Sequence, residues 1–137
     1  LLVTCMPMLT GTAGNAGSQA STLIIRGMSV GDIQLKDWLR VALKELRVAM
    51  LCGVALCAVN TARLLITYPG QSVITVVVSL SLLLIIIIAK VIGCLLPMLA
   101  KLIHVDPAIM ASPVISTIMD SVSMLLYFNI AHVLLRV

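Results

Sequence analysis

The chain has 137 residues, of which 61% are hydrophobic and 10% charged, with a mean hydropathy of +1.21 and a formal net charge of +4. So little polar surface cannot cover a soluble globule of this length, and the composition is that of an all-α integral membrane domain, its main partner the lipid bilayer. The positive balance does not point to nucleic acid, because the basic residues flank the apolar runs and aromatics are only 3% of the chain; it orients the helices in the membrane.

The first element is expected to be a membrane helix over about residues 1–28. The chain begins without an initiator methionine or a basic region with a cleavage site, so we expect it to have been cut from a longer protein. Within this element "LTGTAGNAGSQAST" places Gly11, Gly14 and Gly17 among Asn15, Ser18, Gln19, Ser21 and Thr22. Such glycines let a second backbone approach closely, or let carbonyls turn toward an ion's water shell. Asn15 and Gln19, four apart, share a helix face.

Residues 29–41 form an amphipathic connection in which Asp37 is expected to cap the next helix and Trp38 to sit at the interface. Helices are expected over about 42–67 and 72–99, joined by the uncharged turn "TYPGQS"; residues 64–89 carry no charge, longer than the roughly 20 that a span needs. Arg26, Lys36, Arg40, Lys44 and Arg47 outnumber Asp32, Asp37 and Glu45 around the first connection, which places it in the cytoplasm. The link carrying Lys90, Lys101 and His104 then also falls inside, and the C-terminus outside the cytoplasm. Asp106 and Pro107 start the last helix, over about 108–135, with a kink expected at Pro113.

Asp120 is the most informative residue. It stands fourteen residues beyond Asp106, about 20 Å along the helix and near mid-bilayer, where a carboxylate costs roughly 3 kcal/mol and usually faces a cavity or an ion path. At about 100° per residue, Ser112, Ser116, Asp120, Ser123 and Tyr127 fall within an arc of about 80°. That narrow polar stripe fits a pore; a polar seam between helices is the alternative. Glu45, between Lys44 and Arg47 at the membrane edge, reads equally as a solvated ion pair and as a functional carboxylate. Cys5, Cys52, Cys57 and Cys94 lack CxxC spacing and read as small packing residues. No catalytic set is visible, His104 and His132 take no role, and the chain is not expected to be an enzyme.

"PMLTGTAGNAGSQASTLIIRGMSVGDI" (residues 7–33), "KEL" with Gly53 downstream, and "GCLLPMLAKLIHVDPAIMASPVISTIMDSVSMLLYF" (residues 93–128) together resemble the membrane domain of the MgtE magnesium channels and transporters. The resemblance covers nearly the whole chain. It implies a single transmembrane domain over 1–137, with five helices per subunit in the family and about four here, the first one missing and residues 1–28 standing as helix two. It also implies a homodimer with its ion pathway at the two-fold axis between the second and fifth helices. By that resemblance the pore aspartate falls on Asp120, pore-lining positions on Ser112 and Ser116, and central ion-site positions on Gly11, Gly14 and Asn15. Glu45 matches an acidic residue near the cytoplasmic side; Gln19 and Ser123 are secondary candidates. Cytoplasmic regulatory domains of bacterial relatives have no counterpart in these residues.

The expected function is therefore a multi-pass cell-membrane domain that conducts hydrated Mg²⁺, the transported ion, into the cytoplasm. Magnesium keeps its waters and prefers oxygen ligands, so two Asp120 carboxylates, one per subunit, with hydroxyls and carbonyls could bind it without stripping its shell. A cation-coupled exchanger of the same fold and a non-conducting membrane scaffold are the alternatives.

Overall fold

The computed structural model describes residues 2–110 and 112–135, the Ser112 side chain excepted. Among the described residues there are four long helices, α1 (Leu2–Val30), α2 (Trp38–Thr67), α3 (Ser72–Leu102) and α4 (Ser112–Leu135), with short 3-10 turns at Leu35–Asp37 and Pro107–Met110. There is no strand among the described residues, as the all-α reading requires. Among the described residues three stretches are long and apolar enough to cross a membrane: Leu35–Thr67, Ser72–Leu102 and Pro113–Leu135. The fourth, α1, is long enough at about 44 Å, but its glycines and polar residues keep it below that apolarity.

α3 is the centre of the bundle. It packs against the other three helices, whereas α2 packs almost wholly on α3 and barely touches α1. The sequence explains this arrangement, since residues 73–89 of α3 are nearly all aliphatic and can be buried on several sides at once. Val77, Val78, Leu82, Ile85, Ile86 and Ala89 of α3 meet Leu9 and Ala13 of α1 and Ile115, Met119 and Tyr127 of α4 in the main core. A smaller cluster joins Ile24 and Met28 of α1, Val41 of α2, and Cys94 and Met98 of α3.

Two glycines set the α1/α3 crossing. A Cβ on Gly93 would run into the Gly17 carbonyl oxygen and lie 2.9 Å from the Gly17 Cα. A Cβ on Gly17 would meet Ile115 of α4 at 2.9 Å and Met119 at 3.1 Å. The crossing is thus backbone against backbone, with α4 closing over it.

Several expected boundaries shift, each for a local reason. α2 begins at Trp38, earlier than position 42, and Asp37 does not cap it with its side chain: Asp37 Oδ2 accepts the Gln34 N–H at 3.0 Å and closes the preceding 3-10 turn. α4 begins at Ser112, later than position 108. Asp106 Oδ1 accepts the Ala108 N–H at 2.9 Å and caps the turn Pro107–Met110, so it does not start α4. Pro113, lacking an N–H for the Ile109 carbonyl, prevents one α-helix from running through this region. It sits second in α4, where a proline is tolerated, and the residues before it that are described form the 3-10 turn Pro107–Met110 instead of a first α-helical turn.

α3 runs past position 99 to Leu102 and closes on His104, which adopts a left-handed φ of 60°. His104 N–H donates to the Lys101 carbonyl at 3.2 Å and Val105 N–H to the Ala100 carbonyl at 2.9 Å, the paired bonds of a Schellman end. Lys90, read from sequence as part of the link between helices, instead lies deep inside α3. The turn between α2 and α3 has Pro69 and Gly70 at its centre, Gly70 at φ 90°, and a bond from Gln71 N–H to the Tyr68 carbonyl at 3.3 Å.

Candidate functional site

α1 and α4 run antiparallel along one side of the bundle. Ser21 Oγ donates to the Met110 carbonyl at 3.0 Å, Ser18 and Ser116 hydroxyls approach to 3.5 Å, and Tyr127 Oη donates to the Leu2 carbonyl at 2.9 Å. These three contacts fix the register. Ser116, half-buried, lies over Gly14, where a Cβ would be 3.5 Å from its Oγ. Asp120, one turn further toward Tyr127, is therefore level with the turn of α1 that carries Gly11.

The stripe expected on α4 straddles the border between core and surface. Ser123 and Tyr127 are each 1% exposed, and Ser123 Oγ donates to the Asp120 main-chain carbonyl at 3.1 Å. Asp120 itself is exposed, and among the described residues nothing hydrogen-bonds or pairs with its carboxylate. Thr117 and Ser121, also exposed, bond back to the carbonyls of Pro113 and Thr117. The Ser112 side chain lies outside the described residues.

On α1, Gly11, Asn15 and Gln19 are exposed, whereas Gly14 and Gly17 are buried. Nothing lies within 4 Å of a Cβ placed on Gly11, so that turn of α1 borders open space. The glycine-rich segment is a continuous α-helix from Leu2 to Val30; its carbonyls stay in the helical ladder, and its glycines present a smooth surface. The structure thus brings Gly11, Asn15 and Asp120 to one outward side, with Gly14 against Ser116 behind them.

Glu45 lies elsewhere. It is 6% exposed, and its Oε2 stands 3.6 Å from the Nζ of Lys90, itself 4% exposed. Lys90 Nζ also donates to Gln19 Oε1 at 3.3 Å. Glu45 therefore pairs across to α3 and not with Lys44 or Arg47 beside it, which removes the reading of a solvated surface pair. Two opposite charges within a membrane-length bundle neutralise each other, where either alone would be costly. Lysine has no acceptor, so the Gln19 atom facing it is the oxygen, and the amide NH₂ is left to the exposed face.

Sequence reasoning missed Lys90. The signal was present, because residues 72–102 contain no glycine–proline or polar turn before "HVDP", so Lys90 had to be helical and well inside the span. Of the cysteines, Cys5 and Cys94 are buried, Cys57 donates to the Ser79 carbonyl at 3.0 Å, and Cys52 is exposed. Among the described residues no three His, Cys, Asp or Glu side chains come together to hold a metal ion. Within one chain, Asp120 brings a single carboxylate.

Comparison with known proteins gives a consistent result. Residues 6–130 match the family model MgtE, described as a divalent cation transporter. The chain is 38% identical over 131 residues to "Magnesium transporter MgtE" of Thermus thermophilus, covering 96% of this chain and 29% of that protein. It is 37% identical over 126 residues to the Bacillus subtilis protein of the same name, covering 92% and 28%. With the Enterococcus faecalis protein of that name it shares 30% identity over 136 residues, covering 99% and 30%. The chain thus spans less than a third of the length of these relatives.

Proposed function

This chain belongs to the MgtE family of divalent cation transporters, and from that premise we propose that it lines a magnesium pathway formed between two copies at a two-fold axis. The observation that carries the reading is Asp120, an exposed carboxylate without a partner among the described residues, on a helix apolar and long enough to span a membrane. Lipid cannot solvate it; a water-filled axis can.

In this reading the α1/α4 side faces the axis. Asp120 from each subunit supplies the charge, Gly11 keeps the path wide at the same height, and the Asn15 carboxamide adds a polar contact. Gly14 and Ser116 pack into the wall behind, with Ser123 fixing the turn of α4 below Asp120. Two carboxylates facing one another favour a divalent over a monovalent cation. They do so through the water shell, since Mg²⁺ gives up its waters reluctantly. With the C-terminus outside and the cytoplasm negative, the potential would drive a double charge inward by about 4 to 5 kcal/mol per 100 mV.

Mg²⁺ flux into proteoliposomes tests the proposal. Asp120→Ala is expected to lower uptake by about tenfold or more; parental flux in this variant overturns the assignment. Flux that depends on an opposing Na⁺ or H⁺ gradient would make the protein an exchanger instead of a channel.

A further inference from the structure

A second polar feature lies where α1 borders α2. Because α1 and α2 barely touch, a groove of about 190 Å³ remains between them, lined by Met8 and Thr12 of α1 and by Leu56, Val59, Asn60 and Arg63 of α2. The four α2 residues follow one another at spacings of three, one and three, which puts them on a single helix face. Along that face the chemistry grades from apolar at Leu56 and Val59, through an amide at Asn60, to a guanidinium at Arg63.

Two donors in this groove lack a strong acceptor. Asn60 is 7% exposed, yet its Nδ2 has no hydrogen-bond partner among the described residues. Burying such an amide without a bond is unfavourable, so the site is incomplete as the chain stands. Arg63 is exposed and its Nη2 finds only the thioether of Met8 at 3.9 Å, a weak acceptor. No carboxylate pairs with Arg63 among the described residues. Arg63 lies four residues before the end of α2, about 6 Å, which is headgroup depth for a helix that spans the bilayer.

We propose that this groove binds an anionic phospholipid, its phosphate held by Arg63 and the Asn60 amide and its first acyl carbons lying on Val59 and Leu56. The match is one of chemistry at each depth: an anion where the donors are, hydrocarbon where the lining is aliphatic. Arginine suits the task because its fork bonds two phosphate oxygens at once. The site is independent of the Asp120 pathway and uses none of its residues.

Brominated lipids test it, since they quench a nearby tryptophan. The chain has one tryptophan, Trp38, at the far end of α2. In a Trp38→Phe, Val59→Trp protein, dibrominated phosphatidylglycerol is expected to quench at about a tenfold lower mole fraction than dibrominated phosphatidylcholine, the ratio one charge-assisted hydrogen bond commonly gives. Arg63→Gln should abolish the preference, and Asn60→Leu should reduce it; the second variant decides if the first does not fold. Equal quenching by both lipids overturns the proposal. So does a preference that survives Arg63→Gln, which would come from the basic end at Arg40, Lys44 and Arg47. Absence of quenching by either lipid means that protein covers the groove, which also overturns it. Relief of quenching by inorganic phosphate or glycerol 3-phosphate would make the site one for free phosphate and not for a lipid.

Discussion

Lys90 shows how a single residue ties three helices together. Its ammonium lies between the Glu45 carboxylate of α2 and the Gln19 carboxamide of α1, both held to α3 by charge and hydrogen bonding. Removing one partner leaves the other charge buried and alone. Lys90→Met is therefore expected to destabilise the domain by about 3 kcal/mol or more, read as a lower Tm in detergent. The double variant Lys90→Met, Glu45→Leu should regain most of that loss, because a neutral pair of similar volume carries no desolvation penalty. If the double variant melts no higher than the single one, the ion pair is not what holds the site together. The contrast with Asp120 explains what was legible. A carboxylate in the middle of an aliphatic helix announces itself, whereas Lys90 stands near enough to the end of its apolar run to pass for a loop charge, and only the long-range pairing reveals its depth.

At the scale of elements, the helices were readable from their apolar lengths, and their ends were not. Asp37 and Asp106 have the residue type and position of helix caps, yet each closes a 3-10 turn just ahead of the helix. Capping chemistry is the same for both, so sequence cannot tell them apart. The end of α3 offers a test of local conformation. His104 holds a left-handed φ that glycine adopts without strain, so His104→Gly is expected to raise stability by about 0.5 to 1 kcal/mol, measured by the shift of the unfolding midpoint. The α1/α3 crossing gives the opposite result: Gly93→Ala, with no side chain to yield, should separate the two helices and cost about 2 kcal/mol or more in thermal or denaturant unfolding. A Gly93→Ala protein that melts like the parent would mean that the helices do not meet backbone to backbone.

For the whole molecule, the sequence carried the fold class and family, while the pairing of faces had to come from structure. Nothing in the α4 stripe distinguished Ser123 and Tyr127, which turn into the core, from Asp120, which turns out. All five positions lie within one arc, and the border of burial runs through it. That outward side of α1 and α4 is the surface two copies would share in the proposed pathway. A Ser121→Cys protein lacking its other cysteines is expected to form a disulfide-linked dimer under mild oxidation in membranes; only monomers on a non-reducing gel would place the axis elsewhere.

The Gly17–Gly93 contact also limits how such a pathway could move. Side chains at a helix seam can change rotamer and let one helix slide, but two touching backbones have no such freedom. α1 and α3 must travel as one body, together with whatever α2 does through Lys90. Any widening beside Gly11 and Asn15 therefore falls to α4 tilting against that body, or to entire subunits rocking apart, and a local bend of α1 is the least available route.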